Sequence, residues 1–405
     1  MADIALEGFD PFAPEYRADP YPRYNYLRTN DPIHHDPDDF WILTRHADCE
    51  AILRDQRWSS NSAHARNPRP AEAQSVRETV AAGLDFPILL FLDPPDHTRL
   101  RKLVSKAFTP RSVERLRPRV ESLVDEFLDG AAERGGMELI GDLAYPLPVT
   151  VICELLGVPA DDQHLFGPWS SDASRLLDDE IDDETAQRGL LAVMQLLNYF
   201  NGLFDERRAH PRDDLLSALL AAEEEGDKLS ETELRSITLL LFIAGHETTM
   251  NLIGNGMLAL LRNRAQFDLL CADPSLAPGA VEELLRYDGP VHLTGRVPLE
   301  DIEVGGHPFE AGEQVVTLLA AANRDPARFD SPDDLDIRRT DNHHLTFSGG
   351  IHYCLGAALA RLEGQVAMGA IAQRFPDIEL ETTDPQYRDH FVLRGLRELR
   401  LGIPG

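Results

Sequence analysis

The longest apolar element in this chain carries a polar insert at its centre. Ser230-Glu231-Thr232-Glu233 is a capping box, in which the Ser hydroxyl and the Glu carboxylate each satisfy an orphaned backbone N–H. The helix it opens runs over thirty residues, to Arg262. Its middle reads L-L-L-F-I-A-G-H-E-T-T-M-N. A polar G-H-E-T-T inside such a helix is costly unless it is used. Gly245 weakens a helix by about 1 kcal/mol relative to Ala, and it allows a local bulge or a close approach. Ala244 and Gly245 leave room for a diatomic ligand, and Glu247 and Thr248 set an acid and an alcohol beside it. Read from the residues alone, a kink with locally capped polar groups serves equally well. A zinc-protease reading fails, because the second His it requires at position 250 is Met250.

A second stretch, Phe347 to Gly356, reads F-S-G-G-I-H-Y-C-L-G and precedes a helix-like A-A-L-A-R-L-E-G-Q-V-A-M-G-A-I. Gly349 and Gly350 permit a tight turn and let backbone approach a large flat object. Cys354 lies just ahead of a helix N-terminus, where aligned N–H dipoles favour thiolate, the metal-ligating form. Three readings stand at this point. Cys354 is a buried structural thiol, or it joins His343, His344 and His352 around zinc in a spacing that fits no usual structural site, or it is the single thiolate of a haem.

The decapeptide resembles the haem-binding signature of the cytochrome P450 family. Phe347, Gly350, His352, Cys354 and Gly356 fill the Phe, Gly, basic, Cys and Gly positions. The helix centre resembles the same family's A-G-x-[DE]-T-[TS] motif. That resemblance implies heme b with an axial Cys thiolate from Cys354. It implies that Thr248 hydrogen-bonds the oxygen being activated and that Glu247 belongs to the proton relay. In D-P-P-D-H-T-R-L-R, His97 and Arg101 share a helix face. The spacing alone suits a solvated basic face; the resemblance makes His97, Arg101, Arg296 and His352 the partners of two haem propionates, which Arg can grip bidentately. Glu283 and Arg286, three apart, match the family's E-x-x-R pair. Its usual third basic residue is replaced by Asp334, so Arg338 or another neighbour completes the triad, or it is only a pair.

Composition bounds the rest. With 39 basic and 69 acidic residues the net charge is −30, which argues against nucleic acid or anionic membrane as partner. Against that trend, His97 to Arg119 holds eight Arg or Lys and one acid, Glu114. A solvated helix face is one reading of this island. The other is a docking patch for a ferredoxin-type electron donor near Arg99, Lys102, Lys106 and Arg111, giving steering more than affinity. Four scattered cysteines suggest no disulfide framework and a reducing setting. The N-terminus lacks a signal-like pattern, and the apolar run Leu239 to Ala244 is too short for a span. The expectation is a cytoplasmic protein without a membrane anchor.

Along the chain, Phe40 to Thr44 reads as a strand and the following H-A-D-C-E-A-I-L-R as a helix. Residues 59–85 read as a long loop of the lid type. Helices are expected at 112–133, at 148–156, from Thr185 to Arg208, and over a shorter segment ending at Gly226; Asp178 to Glu184 reads as an exposed acidic link. Apolar candidates for a substrate pocket are Phe86, Leu89, Leu90, Leu240 and Ile243 on one side of the sequence. Val291, Leu293 and Val392 are those nearer its end, with His292 as a polar handle or a surface residue. The expected fold is mainly α with a smaller β-rich lobe, cytochrome P450-like around a buried haem, as a single domain over 1–405. The expected function is haem-thiolate monooxygenation of a hydrophobic small molecule with O2. Electrons would come from NAD(P)H through a ferredoxin reductase and ferredoxin. A peroxide-driven peroxygenase and a haem sensor or carrier are the alternatives.

Overall fold

Proline and glycine set many of the element boundaries. The computed structural model describes residues 14–67, 87–105, 108–177, 182–224, 227–390 and 392–404. Most of the lid-type loop, the acids at 178–180, Phe86, Lys106, Gly226 and Phe391 therefore lie outside the described residues. Helix α1 (Tyr21–Asn30) follows Pro20, and α2 (His46–Arg54) follows the strand pair β1 (Ile33–Asp36) and β2 (Phe40–Leu43). Strand β3 (Trp58–Ser59) is short, and α3 (Asp96–Ser105) starts after the Asp93-Pro94-Pro95 turn. The region 112–133 is not one helix: a short helix at Pro110–Glu114 is followed by α4 (Arg117–Arg134). Pro118, in the first turn of α4, has no N–H to continue the preceding helix. Then come α5 (Pro146–Leu155), α6 (Gln163–Ser174) and α7 (Asp183–Ala209). The helix expected to reach Gly226 stops at Ala221, where a two-stranded ribbon begins.

Helix α8 (Glu231–Arg262) starts on the expected capping box, with both reciprocal bonds formed. It continues as α-helix through Gly245. An added Cβ at Gly245 would meet Ile152 of α5 at 3.4 Å, an ordinary contact. Phe242 belongs to the apolar cluster shared with α5, α6 and α7. Met250, Leu252 and Met257 belong to the one shared with α4, α9 (Ala277–Asp288) and α10 (Ala357–Arg374). One helix thus joins two cores, and its apolar length is spent inside the fold.

The smaller lobe is a sheet in the order β1-β2-β5-β4-β3, with β4 (Thr294–Pro298) and β5 (Val315–Thr317). Strand β5 pairs parallel to β2 and antiparallel to β4, in the register Val316 to Ile42 and Val315 to Arg296. This sheet carries Arg296 into the region between the lobe and α8.

Candidate active site

Two stretches a hundred residues apart meet in one cavity of about 460 Å³. The middle of α8 contributes Ala244, Glu247 and Thr248; the segment leading into α10 contributes Phe347, His352, Cys354 and Gly356. The Cys354 N–H donates to the Phe347 carbonyl at 2.9 Å, which folds the segment back on itself. Burial pushes the Cys354 thiol up, while the N–H groups of Gly356 and Ala357 and the cations Arg101 and Arg361 pull it down. Burial wins in the protein alone, so the helix N-terminus does not by itself make a thiolate. Gly356 has open space where a side chain would begin. Gly350 is not among the residues lining the cavity; its φ is 61°, and a side chain there would run into the Leu53 carbonyl of α2. Glycine at 350 permits that close packing of loop on helix.

Thr248 donates its hydroxyl to the Ala244 carbonyl at 3.0 Å, back along the helix. Glu247 is buried, and neither carboxylate oxygen accepts a hydrogen bond among the described residues. Its neighbours are cationic or ionisable: His390 Nε2 lies 3.5 Å and Arg388 Nη1 3.8 Å from Oε1. Sequence reading missed both. The one available signal was charge, R-D-H, set directly before an apolar tip. His246 turns away from the cavity, with Ser170 Oγ at 2.7 Å from Nε2 and the Phe242 carbonyl at 2.9 Å from Nδ1.

A second polar set lines the same cavity. The rings of His97 and His352 lie against each other, tilted by 52°, with centroids 4.4 Å apart. Both ring nitrogens of His97, and Nε2 of His352, are buried without a hydrogen bond among the described residues. Burial, then Arg296, His97 and Arg101, push His352 down to about 3, so it is neutral at pH 7. Arg296 is buried and, among the described residues, donates to Thr294 Oγ1 (2.9 Å) and the Gly295 carbonyl (2.7 Å). Burial lowers it to about 10, still protonated. Arg101 donates to the Tyr353 carbonyl at 2.6 Å.

Leu89, Leu90, Leu240, Ile243, Val291, Leu293 and Val392 all line the cavity. Ile237 and Leu393 join them without having been anticipated. His292 does not: it is buried behind the wall, with Tyr24 Oη 3.0 Å from Nδ1. Nor are the candidate zinc ligands brought together. His343 faces Asp341 and His344 faces Glu282, and no group of three His, Cys, Asp or Glu is placed for a metal among the described residues.

The Glu283–Arg286 pair is fully buried and bidentate, at 2.7 and 2.8 Å. Its third basic member is Arg339, at 3.1 Å from Glu283 Oε2, with Asn342 at 3.0 Å. Arg338 is exposed, and Asp334 contributes a carbonyl to Arg286 Nη2 at 3.0 Å. The basic island is less cationic than its sequence suggests. Arg99 pairs with Glu233, Arg117 with Glu114 and Arg119 with Glu154. Lys102, Arg111 and Arg115 are exposed.

The family model for Cytochrome P450 matches residues 181–268 and 275–400. The chain belongs to the cytochrome P450 family. Among P450 relatives, it is 43% identical to a vitamin D(3) 25-hydroxylase of Pseudonocardia autotrophica, over 98% of this chain and 97% of that one. It is 39% identical to the polyketide biosynthesis P450 PksS of Bacillus subtilis, over 98% of each. A solved structure of P450BioI with an acyl carrier protein bearing hexadec-9Z-enoic acid superposes with TM-score 0.89 at 39% identity, covering 96% of this chain and 99% of that one. The fold is therefore the P450 fold, mainly helical with a smaller sheet region, and the protein is a P450 monooxygenase whose cofactor is haem with an axial cysteine thiolate. The cavity fits that group. It offers a cysteine sulfur with helix N–H groups behind it and space beside Gly356. It also holds His97, His352, Arg101 and Arg296, whose side chains form no ion pair with a carboxylate at 4.0 Å or less among the described residues.

Proposed function

We propose that Cys354 is the axial ligand and that the cavity oxidises a hydrophobic small molecule held beside Ala244 and Thr248. The observation that carries this reading is the single cavity shared by Cys354 and the acid–alcohol pair of α8. Haem, when bound there, supplies dioxygen activation and the electron path. The chain's own part is to hold, orient and protonate. Gly356 and Ala357 N–H groups and the Arg101 and Arg361 cations stabilise negative charge on Cys354 sulfur. Arg101 and Arg296 would hold the two propionates through their guanidinium N–H groups, and His97 and His352 would donate ring N–H to them. Thr248 turns its hydroxyl from the Ala244 carbonyl into the cavity by rotation about χ1. Glu247 takes a proton from the side of His390 and passes it towards Thr248.

The apolar lining favours a terpenoid, steroid, polyketide or fatty acyl substrate. The names of the relatives, a vitamin D(3) hydroxylase and a polyketide biosynthesis enzyme among them, support that range. Electrons arrive from NAD(P)H through a reductase and an acidic ferredoxin docking near exposed Lys102 and Arg111. Lys106, expected in the same patch, lies outside the described residues. Reduced protein with carbon monoxide tests the ligand. Wild type gives the red-shifted thiolate-type Soret band and Cys354→Ala loses it; a variant that keeps the band refutes the assignment. Product formation dependent on NAD(P)H, O2 and added redox proteins tests the electron route.

A further inference from the structure

The apolar wall formed by Val291, Leu293, Val392 and Leu393 has a polar back. Two short segments make that wall, and backbone bonds zip them together. His292 N–H donates to the Val392 carbonyl at 3.0 Å and Arg394 N–H to the Pro290 carbonyl at 2.9 Å. Side chains on an extended segment alternate in direction. Val291 and Leu293 line the cavity, while His292 between them points behind the wall. Arg394 follows the same logic after Leu393. Its Nε donates to Asp288 Oδ1 at 2.9 Å, Nη1 to the Arg17 carbonyl at 2.5 Å and Nη2 to the Ala18 carbonyl at 3.2 Å. Tyr21 Oη donates to the same Asp288 oxygen at 2.6 Å, and its ring lies 3.6 Å from the Arg324 guanidinium. From the far side, Asn255 of α8 donates to the Arg394 carbonyl at 3.0 Å.

We propose that Asp288, Arg394 and Tyr21 form a latch that fixes the pocket wall from behind, making the N-terminal segment 17–24 a determinant of which ligands the wall accepts. None of the three lines the cavity, so they are positioning residues. A buried ion pair is a poor way to gain stability, since a well-packed apolar replacement often serves as well. Its particular strength is geometry: a guanidinium with three fixed acceptors holds the chain at Leu393 in one place. The Asp288 carboxyl supports this. Burial alone would raise it, yet Arg394, His292 and Tyr21 hold it well below the usual carboxylate range.

The inference rests on reading the cavity as a haem and substrate pocket, and the experiment separates the two. Full-length haem-loaded protein is titrated with imidazole, which needs only the cofactor, and with clotrimazole, whose bulk needs the wall. Arg394→Lys keeps the charge but loses the fork; Tyr21→Phe keeps the ring but loses the bond to Asp288. The expected result is a clotrimazole Kd raised about tenfold in the first and about threefold in the second, with imidazole within about twofold of wild type. Hydrogen exchange gives a readout free of the cofactor. Residues 290–293 and 392–396 exchange faster in Tyr21→Phe, and α10 does not. Equal shifts for both azoles, or unchanged clotrimazole affinity with unchanged exchange, overturn the latch. If Arg394→Lys does not fold, Tyr21→Phe decides. Wild type that binds neither azole breaks the pocket reading itself, whereas faster exchange without an affinity split breaks only the latch.

Discussion

Two buried glutamates in neighbouring helices live in opposite conditions. Glu283 of α9 is saturated: Arg286 grips both oxygens, and Arg339, Asn342 and the Asp336 N–H add bonds of 2.9 to 3.1 Å. Glu247 of α8 is as deeply placed and accepts no hydrogen bond among the described residues; His390 and Arg388 stand at 3.5 and 3.8 Å. A carboxylate with every lone pair used cannot exchange partners without breaking structure. One with its lone pairs open can take and release a proton. The difference separates scaffold from working group in terms of bonding capacity rather than burial, since burial is nearly the same for both.

Breaking the saturated site has the largest expected effect. Glu283→Ala leaves Arg286 and Arg339 without their acceptor and costs about 3–5 kcal/mol. Denaturant unfolding and the yield of haem-loaded protein measure it. A wild-type midpoint would mean the network contributes nothing.

Next in size, Glu247→Gln slows product formation about 10²-fold, a typical loss for a proton-transfer group. Stability and the carbon monoxide spectrum stay near wild type. An equal loss of stability would make Glu247 scaffold too.

Glu363 of α10 is a third case, fully buried beside Thr249 and pushed up to about 8 by burial. Its folded value lies above its unfolded one, so native protein holds the extra proton. The stability it allows is present below pH 4.5 and is lost as pH rises to about 8. The slope is at most about 1.4 kcal/mol per pH unit for one proton. Glu363→Gln removes that slope in thermal melts taken across the same window, and an unchanged slope would place the titration elsewhere. The smallest effect is at His390, where replacement by Gln lowers turnover about threefold, well under the loss at an essential acid or base. Its measure is the pH profile of product formation, and a profile unmoved from wild type would remove His390 from the proton path.

Local spacing made the long helix, its capping box and the cysteine stretch legible, because each is a pattern within ten residues or a periodic run. The same is true of Glu283 with Arg286, one helical turn apart. What stayed hidden is pairing between distant segments. Arg339 rather than Arg338 reaches Glu283, because the turn at Asp336 aims it there. Arg388 and His390 approach Glu247 from about 140 residues away. The basic island looked uncompensated because Glu233 and Glu154, which answer Arg99 and Arg119, belong to other helices. Periodicity reports which face of a helix is buried, and it carries no record of which loop will face it.

Helix α8 is held near both ends. Glu233, already spent on the capping box, also pairs with Arg99 of α3, the helix that bears His97 and Arg101. Towards the other end, Asn255 holds the Arg394 carbonyl. The helix therefore works as a dial with its zero set from outside. Each residue advances the dial by about 100° and lengthens it by only about 1.5 Å, so inserting a single Ala between Glu233 and Ala244 barely changes the helix's apolar content but turns Thr248 away from its place relative to the Glu233 end. The chemistry of this site is written as much in an angle as in the identity of its residues.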